Sequence, residues 1–504
     1  MIKPQNQMWA QLSRLHKEFP AWISATLAGR SADRSSMEPC ETPPQPPSGS
    51  AAKAQDDLLH AEPAQEQDAP PQDYEAIICA LKDKLIIPIC DDSPGTQSRQ
   101  NLQDKGQFLA RQERWSELSQ LIRTADTAGS RTSSGLPEAD LLAYGARSDV
   151  VNAVEHALRD SCDTSAATAQ GTTCGDAGLA KPGSCTSGGR RSGENPILIE
   201  GVMALESLRR DHPKDTYLTA IVALAHIDIA WIWRATAADD RLSKKKQEAQ
   251  MRRAMAHFDR AAALLAPHKE QSRDSAFLSA AQCAVFAGQT ANTMDVADAY
   301  GALIDQAPDN PRPMRALGAQ MLPRANGSYA ALELEARRTA ARTQEAWGAG
   351  GYTWVYFDAI AIDAQACARV DPRFFLDGLR DILAADPSQE MINLLTAYCA
   401  VTLPNDRGLN AAADRNRVEI SEAACWLVRR HLREVHPLIW AHACQGFDNS
   451  LRIASLRRFT AHGQAQAMQC LAHVFRDELD SGQRVSFSPD GYDLLPELSQ
   501  QAAG

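Results

Sequence analysis

The sequence predicts an all-α fold, a small helical N-terminal module followed by a helical-hairpin solenoid, and three observations carry that prediction. The 504 residues are 44% hydrophobic but only 6% aromatic, and a high alanine content favours close-packed helices over sheets. Segments with helix-opening character begin near Asp274, Pro311, Gly350 and Ser388, a loose period of about 38 residues that marks two-helix units burying their apolar faces against neighbouring units. Several helical patterns also end on a proline, at Ala266-Pro267, Ala307-Pro308 and Asp386-Pro387. Proline lacks an amide proton and disfavours helical geometry in the residue before it, so it stops one helix and sets the turn into the next.

Taken in order, residues 1–29 form an amphipathic helix, with Met8, Trp9, Leu12, Leu15, Phe19, Trp22 and Ile23 at helical spacing across 7–28 and Pro20 as an interruption. It is either an arm that docks on a membrane surface or a partner, or a helix that packs back on its own domain. Residues 30–72 are rich in Pro, Ser, Gln and acidic side chains, a composition that cannot offset the entropy of ordering, and read as a disordered linker. Periodicity returns in a helical module over 73–160, marked by Ile77, Ile78, Leu81 and Leu85, by Phe108, Leu109, Trp115, Leu118 and Leu121, and by Leu141, Val150, Val154 and Leu158. Residues 161–195 are a low-complexity insertion of Ser, Thr, Gly and Ala. Its Cys162, Cys174 and Cys185 match no metal-ligand spacing. The repeat domain spans 196–480, and 481–504 is a tail.

The longest apolar stretch, Tyr217 to Trp233, has a length that invites a membrane span, but it contains His226 and Asp228. An aspartate at mid-bilayer costs about 2.5–3.5 kcal/mol on insertion scales, so a buried core helix is expected. A net charge of -11 and a pI near 5.6 argue against nucleic-acid binding, which needs a dense basic face. Membrane contact is expected only through residues 7–28. Half of the twelve cysteines fall within apolar helical patterns, as reduced cysteines do in a reducing cytoplasm.

First helices share a spacing of large, apolar and small residues: Phe277, Ala280, Ala281 and Ala284; Met314, Leu317, Gly318 and Met321; Trp354, Phe357 and Ala361. The small position lets two helices approach closely. This pattern resembles the tetratricopeptide repeat, in degenerate form and over 196–450, with Val296 and Leu303 where that family carries alanines. The run Leu322-Pro323-Arg324 followed by Gly327-Ser328 is similar to one in bacterial tetratricopeptide-like proteins of uncharacterised function. The resemblance implies a helical-repeat surface for a protein or peptide partner and brings no enzymatic activity with it.

No catalytic residue, cofactor or metal is predicted. His431, Glu434 and His436 approach the H-x-x-E-H pattern, but one residue too many and Pro437 keep them off one helical face. The glycines 348, 350 and 351 follow no strand and read as an inter-helix turn. Lys244, Lys245 and Lys246 with Arg241, Arg252 and Arg253 form a basic cluster, either a solvated face or a grip for an acidic peptide or lipid surface. Two groups are candidates for binding: His226, Asp228, Trp231, Trp233 and Arg234, polar groups in an apolar helix that need partners when buried, and Arg315, Arg324, Trp347 and Tyr352, residue types enriched at binding hot spots. The alternative function is an all-α enzyme or small-ligand sensor around His226 and Asp228.

Overall fold

The computed structural model describes residues 74–90, 93–169, 196–238, 242–406, 410–445 and 456–496, and it is 76% helix and 5% strand. The arm expected at 1–29, the linker at 30–72 and residues 170–195 of the insertion lie outside the described residues. A first helix α1 (Tyr74–Leu81) and a short strand β1 (Leu85–Ile86) precede α2 (Pro94–Arg111), α3 (Trp115–Thr127), α4 (Glu138–Ala169), α5 (Pro196–Asp211), α6 (Thr216–Ala237) and α7 (Lys244–Leu265). Then follow α8 (Ala276–Val285), α9 (Thr293–Gln306), α10 (Pro311–Gln320), α11 (Tyr329–Arg342), α12 (Gln344–Trp347), α13 (Gly350–Ile362), α14 (Ala364–Arg369), α15 (Pro372–Ala385) and α16 (Gln389–Ala397). A π-turn at Tyr398–Thr402 leads to α17 (Ala411–Ser421), α18 (Ala423–Arg430), α19 (Pro437–Cys444), α20 (Leu456–Val474), α21 (Arg476–Asp480) and the strands β2 (Gln483–Ser488) and β3 (Gly491–Pro496).

Local chemistry sets the helix starts. Asp215, Ser275, Asn292, Asn310, Ser328, Asp371 and Ser388 each accept an amide hydrogen of the following turn, which satisfies a donor the helix itself leaves open. Pro311 and Pro372 take the first helical position, where no amide proton is needed. The predicted proline stops are in place, since α7, α9 and α15 end at Leu265, Gln306 and Ala385.

The packing changes two boundaries read from the sequence. One core joins Leu109, Leu118, Ile122 and Val154 to Leu205, the apolar residues of α6 from Tyr217 to Trp233, Phe258 and Val285. A second gathers residues from Cys283 to Phe487 and takes in Leu85. The segment read as one module at 73–160 is therefore divided: α1 and β1 belong to the second core, and α2 to α4 belong to the first. The reason is that α4 packs on both α5 and α6, so neither side buries its apolar face alone. Helix α4 also runs on to Ala169, into the segment read as low complexity. The predicted tail contains β2 and β3, which pair antiparallel, while β1 joins β2 in parallel with Leu85 opposite Val485. Val485 and Phe487 point inward on alternate positions and Phe487 packs edge-on to Phe475, the two-residue period of a half-buried strand.

Glycine allows the closest helix crossings. A Cβ at Gly318 would run into the Val355 carbonyl of α13, and one at Gly351 into Thr343. Of the glycine cluster, Gly348 has φ 53° and makes the turn before α13. The helix Thr216–Ala237 is 94% buried over its apolar window.

Candidate functional site

The first predicted group lies on α6 and is buried against its neighbouring helices. Asp228 accepts a hydrogen bond at 2.8 Å from Nε of Arg147, which α4 delivers from 81 residues earlier. The two side chains are 2% and 0% exposed. Two residues earlier, His226 Nδ1 lies 2.9 Å from Nδ1 of His257 on α7, and its Nε2 lies 3.3 Å from Oε1 of Glu206 on α5. Glu206 is the centre of this network, accepting from Arg260 Nε and Nη2 at 2.6 and 2.7 Å and from Arg209 at 3.3 Å. The bidentate Arg260 bond holds the Glu206 carboxyl at about 2. Burial holds both imidazoles below their usual value, His257 at about 4 with His226 beside it.

The aromatic members of the group are core. Trp231 is fully buried and meets Phe258 edge to face at 5.5 Å. Arg234 lies 5.1 Å over the Trp231 ring and donates to the Ala287 carbonyl at 3.0 Å, and Arg253 lies 4.8 Å over Trp233. His226 and Asp228 thus bond to α4, α5 and α7, while Asp228 Oδ1, Nη1 and Nη2 of Arg147 and the indole nitrogens of Trp231 and Trp233 are buried without a hydrogen-bond partner. An open depression among the described residues is lined by Pro94, Gln97, Asn101, Lys105 and Glu138, none of them a predicted site residue.

The second group is engaged piecemeal. Arg315 forms a bidentate pair with Asp358 at 2.8 and 2.7 Å and lies over Phe357. Tyr352 donates to Glu333 at 3.0 Å and accepts the Asp371 amide, and burial pushes its hydroxyl up. Trp347 donates to the Pro308 carbonyl at 2.9 Å and stands edge-on to Trp354. Arg324 reaches the Ile362 carbonyl at 3.4 Å. These contacts tie successive helices together.

The triplet at 431–436 is divided. His431 stands edge-on to Trp426 at 5.6 Å, whereas Glu434 and His436 come together, Nε2 to Oε1 at 2.9 Å. They do so on an extended segment before α19, beside Cys90. Of the basic cluster, Lys244, Lys245 and Lys246 open α7 and are exposed.

Sequence reading missed Arg147, Glu206, His257, Arg260 and Cys90. The available signal was charge on helical patterns whose neighbours three and four away are apolar, as with Arg147 between Ala143 and Val151. Nothing in the sequence pairs each with its partner. No family model, curated protein or solved structure matches this chain, so its function is read from its own geometry.

Proposed function

We propose that this protein is a cytoplasmic protein-interaction or scaffolding protein, a degenerate tetratricopeptide-like solenoid that presents its helical hairpins to a peptide or protein partner. The succession of helices between 276 and 397 carries the reading. First helices begin at Ala276, Pro311, Gly350 and Gln389, close to the period in the sequence. Neighbours pack in order, α8 on α9, α9 on α10, α10 and α11 on α13, and α13 on α15. Such an array offers a long surface for its mass. The third unit departs from the family pattern of about 34 residues, because α14 is inserted between α13 and α15.

The enzyme or ligand-sensor alternative is weakened because His226 and one oxygen of Asp228 are taken up by Glu206, His257 and Arg147, although the other Asp228 oxygen is buried without a partner. The test is capture of the full-length protein from cell lysate with mass-spectrometric readout, alongside the variant Met294→Glu/Leu334→Glu. These apolar side chains are 53% and 48% exposed on α9 and α11, so the fold tolerates the change. The expected result is a partner enriched near stoichiometry by the native protein and lost from the variant at unchanged circular dichroism. An empty capture overturns the reading, and a partner held equally by both removes the array surface from it.

A further inference from the structure

We infer that Cys90, Glu434 and His436 form a binding site for a divalent transition metal of the zinc class. The argument begins with the backbone. Residues 88–90 and 434–436 form a parallel bridge in which the Val435 amide donates to the Pro88 carbonyl at 2.9 Å and the Cys90 amide to the Val435 carbonyl at 2.8 Å. In such a bridge Ile89 and Val435 share one face, and the residues on either side of them share the other. Cys90, Glu434 and His436 therefore project on one side together, and their ligand atoms all lie within 4.8 Å of one another.

The second segment is held in place before any ion arrives. Buried Asn393 on α16 accepts the His436 amide at 3.0 Å and the Trp440 indole at 2.8 Å, and it donates to the carbonyls of Glu434 at 2.9 Å and Gln389 at 2.8 Å. Gln389 accepts the Arg433 amide at 2.8 Å. A satisfied buried network of this kind fixes the ligands' backbone. His436 is 5% exposed, and Cys90 and Glu434 are half-buried, so the cluster sits at the edge of the protein with one side open to an ion.

The donor set selects the ion. Thiolate, imidazole and carboxylate together suit zinc and its neighbours, whereas magnesium and calcium take oxygen ligands. In a tetrahedral shell with bonds of about 2.0–2.3 Å, ligand atoms stand about 3.4–3.7 Å apart. The three donors already lie within 4.8 Å of one another, about an ångström from that spacing. On binding, the Cys90 thiol gives its proton to solvent, Glu434 binds as the carboxylate, and neutral His436 binds through Nε2 with its one ring proton on Nδ1. Three protein ligands leave a fourth position for water or a further side chain. The ion would also join residue 90 to residues 434–436, an internal tie independent of the partner-binding function.

The test uses metal-depleted full-length protein titrated with Co²⁺ as a spectroscopic stand-in for zinc, with stoichiometry by native mass spectrometry. One equivalent should bind with a thiolate charge-transfer band and the visible bands of tetrahedral cobalt. Both should vanish in Cys90→Ala, and zinc affinity should fall at least tenfold in Cys90→Ala and in His436→Gln. Cys79→Ala, an exposed cysteine on the preceding helix, should leave them unchanged. Cys90→Ala removes only a half-buried thiol, so it keeps the test decisive if His436→Gln misfolds. Absence of the bands from the native protein, or their persistence in Cys90→Ala, overturns the inference.

Discussion

Where α4, α5 and α7 meet α6, charged side chains stand buried between helices, whereas where α13 meets α15 and the π-turn at 398–402, the same role falls to stacked rings. In the first region Arg147 and Asp228 are withdrawn from water together and Glu206 gathers Arg260, Arg209 and His226. In the second, Phe357 and Tyr398 stack with centroids 3.8 Å apart, Trp354 leans on Phe357, and the polar ends of Tyr398 and Thr353 go to the carbonyls of Phe357 and Phe375. A side chain bonded to a carbonyl depends on a group every residue carries. A side chain bonded to another side chain depends on one particular residue far along the chain, so the first region is the more vulnerable to single substitutions.

The largest expected effect breaks the first region. Arg147→Met leaves Asp228 charged and buried without its partner, and should cost about 3–5 kcal/mol, read as a shifted denaturant midpoint. Arg147→Met/Asp228→Leu should recover most of that loss, because two apolar groups of similar volume need no mutual compensation. A double variant as weak as the single would show that the pair is worth more than its desolvation.

Next is the pH dependence. The folded state keeps the His257 imidazole at about 4, below its unfolded value of about 6.5. The stabilisation is therefore full above about pH 6.5, declines as pH falls toward 4, and is level below that. The decline should be on the order of 2–3 kcal/mol, and His257→Gln should flatten it. Glu206 adds a second, more acidic loss: its folded value of about 2 lies below the ordinary carboxyl value near 4.3, so its contribution is present above that value and disappears on the way to pH 2. Glu206→Gln should remove this acid limb and leave the His257 limb in place.

The second region is tested by smaller changes. Gly318→Ala drives a methyl group into the Val355 carbonyl, and the overpacking should cost about 1–3 kcal/mol in thermal or denaturant unfolding. Tyr398→Phe removes one buried bond of 2.6 Å to the Phe357 carbonyl while keeping the stack, for about 1 kcal/mol. If Tyr398→Phe proved as damaging as Arg147→Met, the contrast between the regions would fail.

How far the sequence could be read follows the same division. The starts of α8, α10 and α16 were legible because Ser275, Asn310, Pro311 and Ser388 act on their own next turn, and the crossing at Gly318 because a missing side chain has a local signature. The partners of His226 and Asp228 were not, because Arg147 and Asp228 are 81 residues apart and His226 and His257 are 31 apart, and no periodicity encodes such meetings. The H-x-x-E-H pattern tests His436 only against a helical face, whereas a strand bridge to residues near 90 places it. The hairpin at 483–496 was missed because its apolar alternation is short and its parallel neighbour lies at Leu85.

That pairing of Leu85 with Val485 has a consequence for the order of events during synthesis. Helices α2 to α8 complete one core within the first 285 residues, yet β1 finds no strand to lie against until residue 485 has left the ribosome. Closing so long a loop adds little entropy, since the cost rises only with the logarithm of its length. A nascent chain short of that point presents Leu85 and the backbone of residues 85–86 to whatever else is in reach.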